Sequence, residues 1–157
     1  MIQLVKITED DYQHWLTDQI VAYAQDKIEA GAWSPVEALE RSKHTYYQLL
    51  PDGPNSEDQY IYSIYDELPG RKVGVIWFAN VDLHWRRVAY LYDFLVYEQY
   101  RQQGYGMQAL AAVEVKVREL GLDTIDLHVF GFNTAARALY EKMGYKVTDV
   151  NMRKHLG

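Results

Sequence analysis

The chain has 157 residues, a formal net charge of −6, 48% hydrophobic and 24% charged residues, and no cysteine. It is long enough to bury a core and ordinary in composition, but it can form no disulfide framework, thiolate metal site or cysteine nucleophile. The acidic balance argues against a nucleic-acid binder, which would carry a basic face. It leans toward a cationic partner such as an amine, although the same charge serves plain solubility.

Residues 2–7 alternate weakly and predict a first strand. Thr8 offers an N-cap, and Glu9, Asp10 and Asp11 suit the first turn of a helix that ends near Gly31. Ser34 and Pro35 predict the cap and first turn of a second helix, which Pro51 stops after Leu50. Residues 51–58 have loop composition. Strands are predicted over 59–65, 72–80 and 88–97, forming an antiparallel meander. A helix over 104–120, a strand over 124–130 and a helix over 133–143 follow, and 145–150 and 152–156 supply short final strands. No repeat, linker or low-complexity tract interrupts the chain. The fold expected is α+β: a mixed, mostly antiparallel twisted sheet of 6–7 strands with helices on both faces, ordered β-α-α-β-β-β-α-β-α-β. It occupies one domain, residues 1–157. No stretch approaches the ~20 apolar residues that span a bilayer, and Met1 to Lys6 has no signal-peptide layout. A cytoplasmic location with no membrane partner is expected.

Two segments carry chemistry. In the first, a strand ending near Tyr97 runs through Arg101-Gln-Gln-Gly104-Tyr-Gly106-Met107 into a helix. Glycines there let the backbone approach a ligand closely, and the N–H groups of Gln103 to Met107 converge at the positive end of the helix dipole, a site for phosphate or diphosphate. A glycine turn packed against the sheet is the plainer alternative. Gly104 to Ala109 also fits the dinucleotide pattern G-x-G-x-x-A, but about seven residues separate Gly104 from its strand and the preceding strands look antiparallel, so a nicotinamide site is not supported. In the second segment, Asn133 caps a helix bearing Ala136, Leu139 and Tyr140 on one face, and Gly144 closes it. By spacing alone Tyr140 reads as a core residue.

Together these segments resemble the GNAT superfamily of N-acetyltransferases. Arg101-x-x-Gly104-x-Gly106, preceded by Val96 and Tyr100, is similar to its motif A. Asn133-x-x-Ala136-x-x-Leu139-Tyr140-x-x-x-Gly144-Tyr145 is similar to its motif B, and Asn133 follows Gly106 by 27 positions. The resemblance implies acetyl-CoA as co-substrate in a fork between two parallel strands, here 90–97 and 124–130. The pantetheine arm would pair with the backbone around Phe94, Leu95 and Val96, as a peptide pairs with an open strand edge. The diphosphate would sit on the amides of Gln102, Gln103, Gly104, Tyr105, Gly106 and Met107. Arg101 and Arg137 would add positive charge, and Asn133 would bond the pantetheine or an ordered water. An alkylammonium has a pKa near 10.4 and must lose a proton before attack. The resemblance favours Asp93 as the base over Glu98, a backbone N–H near Leu95 or Val96 as oxyanion donor, and Tyr140 as the acid that protonates the leaving thiolate.

The acceptor site is expected from the first two helices, their connecting loop and the hairpins, with Trp33, His84 and Trp85 as candidate walls. His128 reads as a sheet histidine, and the five histidines show no metal-ligand spacing. The function expected is acetyl transfer to a primary amine of a small molecule or a protein. A non-catalytic acyl-CoA sensor would keep the glycine loop without needing Tyr140, and a peptide-binding module would not bind coenzyme A at all. A homodimer is left open.

Overall fold

The computed structural model describes residues 1–157. It builds one five-stranded sheet in the order β1-β2-β3-β4-β5, from β1 (Ile2–Lys6), β2 (Gln59–Asp66), β3 (Arg71–Asp82), β4 (Arg87–Val96) and β5 (Ile125–Leu127). The first four strands pair antiparallel, and β5 joins β4 in parallel. Four α-helices complete it: α1 (Glu9–Glu29), α2 (Ala38–Leu49), α3 (Tyr105–Glu119) and α4 (Thr134–Lys142).

Alternation along the central strand splits the core into two layers. On β3, Val75 and Trp77 face α1 and α2, where they pack with Trp15, Leu16, Ile20 and Tyr46. Ile76 and Phe78 face α3 and meet Leu110, Val113 and Val117. With both faces covered, β3 reads as an unbroken apolar run. Thr8 caps α1 by accepting the Asp11 N–H at 3.2 Å, and Ser42 ties α2 to α1 through the Ile20 carbonyl at 2.6 Å. No helix is long and apolar enough to cross a membrane.

Two expectations need correction. The second helix begins at Ala38 rather than Ser34; the Ser34 carbonyl accepts the Ala38 N–H in a turn, and Glu37 stands at the cap without a side-chain bond. Secondly, the sheet has five strands, not 6–7, because residues 145–157 form no strand. The alternation in that tail is real, but a strand also needs a partner edge. Val147 and Val150 are instead each 64% exposed.

Candidate active site

The site begins with a bulge. Opposite β3, the register of β4 steps from Asp93 against Trp77 to Leu91 against Phe78, so Tyr92 is the extra residue. A bulge reverses which way later peptide groups point. Before it, the Ala89 N–H donates toward β5, to the Thr124 carbonyl at 2.9 Å. After it, the Tyr97 N–H donates to Val73 on β3 at 2.8 Å. Counting back by strand alternation, Leu95 and Asp93 also turn their peptide groups toward β3, and Phe94 and Val96 turn theirs outward. On that outer side β5 pairs only with Ala89, Tyr90 and Leu91. The two parallel strands therefore separate from Tyr92 onward, and the fork opens into a cleft of about 890 Å³.

The loop that follows ends at the head of α3. Gly104 has φ +82°, a left-handed conformation that glycine adopts without strain. The backbone N–H groups of Gln102 to Met107 donate to no acceptor of the protein. At the head of a 15-residue helix, such amides present partial positive charge to the cleft. Gly106 also has a packing role: a Cβ there would lie 3.0 Å from Leu139 Cδ2 and 3.7 Å from Phe94 Cζ, so its small size lets α4 pack on α3. Tyr105 contributes only its backbone to this end of the cleft. Its buried ring turns inward, where the hydroxyl donates to Asp66 and accepts from Arg71 at 3.3 Å.

Asp93 lies on the face of β4 toward α1 and α2. Trp15 Nε1 donates to its Oδ2 at 3.1 Å, and no cation neutralises it. Burial pushes its pKa up to about 7, against the opposing pull of the Trp15 and Phe94 N–H bonds. Tyr140, on α4, lines the same cleft with its ring 6.5 Å from Phe94. Burial, then the nearby Asp93, pushes its hydroxyl above the usual tyrosine range.

Most sequence-predicted residues converge on this cleft: Asp93, Phe94, Leu95 and Val96 from β4; Arg101, Gln102, Gly104, Tyr105, Gly106 and Met107 from the loop and α3; Asn133 and Tyr140 from α4. Three details differ from expectation. Arg137 lines a separate groove beside β5, away from the loop amides. The Gln103 side chain folds back onto the Gln99 carbonyl at 3.4 Å. Arg101 Nε donates to the Val96 carbonyl at 2.9 Å, so the guanidinium braces the loop against the strand end. Asn133 caps α4 as its position predicts, accepting the Ala136 N–H at 3.2 Å.

The other wall comes from α1 and α2, as expected, but through different residues. Trp33 lies outside the cleft, edge-on to Tyr23, with Lys27 and Arg41 over its ring. His84 and Trp85 sit exposed in the β3–β4 turn, and Glu98 is also exposed and outside the cleft. The wall is instead Gln19, Tyr23, Asp26 and Tyr46 from the helices, facing Trp77, Tyr90 and Tyr92 from the sheet. Trp77 and Tyr92 stack at 4.6 Å, and Tyr90 lies 4.7 Å from Tyr92. Tyr90 and Tyr92 could be found in the sequence as strand aromatics two apart just before Asp93. Nothing local marks Asp26 or Tyr46. His128 also reaches the cleft, with a pKa lowered by burial and by Lys27.

A sheet whose two parallel strands fork beside a glycine loop and a helix head is the architecture of an acyltransferase of the GNAT type. The model of the acetyltransferase (GNAT) family matches residues 24–145. Over 153 residues the chain is 34% identical to YdgE of Bacillus subtilis, covering 98% of this chain and 97% of that one. Over 156 residues it is 37% identical to YycN of the same organism, covering 99% of each. Both relatives are named as N-acetyltransferases. The crystal structure of YycN superposes with a TM-score of 0.92 over 99% of both chains. An acetyltransferase structure from Pyrococcus furiosus, at 22% identity and a TM-score of 0.67, shares the fold. The chain belongs to the GNAT acetyltransferase family and is an N-acetyltransferase.

Proposed function

We propose that the protein moves an acetyl group from acetyl-CoA to a primary amine of a small molecule or a protein, by direct attack of the amine on the thioester. The observation that carries this reading is the row of unpaired amides from Gln102 to Met107 at the mouth of the β4–β5 fork. A diphosphate satisfies such amides, and the outward peptide groups of Phe94 and Val96 suit a pantetheine arm laid along β4. The Val96 carbonyl is taken by Arg101 and the Phe94 N–H leans on the Asp93 carboxylate, so the arm would rely on the Val96 N–H and the Phe94 carbonyl. Asn133 keeps its amide NH₂ free for the arm while its oxygen caps α4.

In this reading Asp93 accepts the proton that the amine loses as its nitrogen bonds to the thioester carbon. An ordinary carboxylate is a weak base for that task; one held near pH 7 by burial is better matched. The outward N–H of Val96, rather than that of Leu95, donates to the thioester oxygen as charge builds on it. When the carbon–sulfur bond breaks, Tyr140 delivers its proton to the sulfur. Its raised pKa keeps it protonated at neutral pH, as a donor must be. Tyr140→Phe is expected to lower kcat about ten-fold or more, with the acetyl-CoA dissociation constant nearly unchanged in a titration; equal turnover removes Tyr140 from the chemistry.

Thermal denaturation with acetyl-CoA tests the reading at its base. Ligand at about 100 times its dissociation constant is expected to stabilise the fold by roughly 2.7 kcal/mol. No shift at millimolar acetyl-CoA refutes the proposed cleft. Release of free thiol across a panel of amines then separates an enzyme from a sensor.

A further inference from the structure

The cleft that the proposed function uses has two chemically different ends, and the end away from the loop amides has a charge arrangement that the reaction does not require. Asp26 faces it from α1, and Asp93 from β4. Neither carboxylate has a cation within ion-pair reach, and the Asp26 side chain accepts no hydrogen bond. Burial, and then Glu29, holds the Asp26 carboxyl above the usual range; Asp26 in turn adds to the upward shift of Asp93, so the two share one field.

The cleft has two cations of its own, and neither pairs with Asp26 or Asp93. Arg101 is bonded to the Val96 carbonyl at the loop end. Lys27 places its Nζ over the rings of Tyr23 and Trp33, at 5.6 and 5.2 Å. Around the carboxylates stand Tyr23, Tyr46, Trp77, Tyr90 and Tyr92. Such rings accept a cation on their faces and bury an alkyl chain between them. A half-buried carboxylate without a partner is costly, and it becomes favourable once a ligand brings the missing charge. One cation does not satisfy this end, because the reacting nitrogen must be neutral when it attacks. A second positive centre on the same acceptor does.

Resting on the acetyl-transfer reading above, we propose that the acceptor is an aliphatic amine carrying a second cationic centre, with Asp26 holding the charge that does not react. The reacting nitrogen lies toward Asp93, and the linking chain lies against Tyr90 and Tyr92. Asp26 is then a specificity residue that touches substrate but not the reacting atoms.

The test is steady-state acetylation of α,ω-diaminoalkanes of increasing length, each matched with the monoaminoalkane of the same length. The wild type is expected to favour the best diamine at least ten-fold in kcat/KM over its monoamine. Asp26→Asn is expected to collapse that ratio to near one, chiefly through the KM for the diamine, and Asp26→Glu to recover part of it. A fully N-methylated diamine, which cannot be acetylated, is expected to inhibit the wild type competitively against the amine; this readout stands even if the Asp26 variants fold poorly. Equal use of mono- and diamines by the wild type, an unchanged ratio in Asp26→Asn, or no inhibition by the methylated diamine overturns the inference while acetyl transfer itself stands. Acetyl-CoA binding without transfer to any amine overturns both readings.

Discussion

Replacing Asp93 with asparagine is expected to lower kcat by about two to three orders of magnitude, within the range attributed to a positioned general base, with acetyl-CoA affinity retained. The carboxylate sits under Trp15 on the helix-facing side of β4, in a cleft where no cation pairs with it and the other carboxylate is Asp26. The pH profile gives a sharper test. Asp93 must be ionised to accept a proton, so kcat/KM is expected to rise with pH through an apparent pKa near the value of about 7 set by burial. The limb should disappear in Asp93→Asn. If the variant keeps both its rate and the limb, the base lies elsewhere. Stability should move the opposite way. The folded pKa is raised above the unfolded value of 3.8, so the native state binds the proton more tightly. Asp93 then contributes fully below pH 3.8, and that contribution is lost as pH rises through about 7. Asparagine, which does not ionise, is expected to melt higher than wild type at pH 8, with a smaller gap at pH 4. Activity lost together with stability gained is the signature of a site that holds a poorly solvated base for function.

Gly74→Ala is expected to be the most destabilising single-methyl addition in the chain. Gly74 pairs with Val96 at the end of β4. A Cβ there would stand 2.0 Å from the Leu95 carbonyl oxygen and 3.0 Å from its carbon. Both are backbone atoms, so no rotamer change relieves the contact and the two strands must part. Overpacking of this kind costs about 3 kcal/mol, or a fall of roughly 6–12 °C in the melting midpoint for a chain of this size. The displaced segment is the stretch of β4 whose outward N–H groups line the fork, so acetyl-CoA affinity should fall with stability. Gly131→Ala is the control: a Cβ at Gly131 meets nothing within 4 Å, and its melting point should stay close to wild type. Equal effects at the two glycines would show that the close approach of β3 to β4 is not what matters.

How much of this was legible in the chain depended on the range of the interaction involved. Thr8 as a helix cap, Gly104 at a left-handed turn and Asn133 as the cap of α4 are local arrangements, made by residues within four positions of one another, and their residue types announce them. The meander of β2, β3 and β4 was legible for the same reason, because short connections between apolar runs leave few alternatives. The GNAT resemblance rested on two such local segments and led to Asp93 and Tyr140. Even there, local reading could not show that Gly106 also makes room for Leu139, 33 positions away in the chain.

What could not be read locally was the cleft wall opposite the glycine loop. Tyr23 and Asp26 on α1, Tyr46 on α2 and Tyr90 and Tyr92 on β4 meet only because two helices cross one face of the sheet at the place where a bulge turns β4 outward. The aromatic residues chosen from sequence, Trp33 and Trp85, stood out because loops punctuated them, and both lie outside the cleft. The final strands failed for a related reason. Alternation in 145–150 states which side chains could share a face, but pairing is a property of two segments, and residues 145–157 meet no ladder. Caps, turns and periodicities are short-range and are written into neighbouring residues. A cleft wall and a sheet edge are long-range, and they exist only once packing has brought distant segments together.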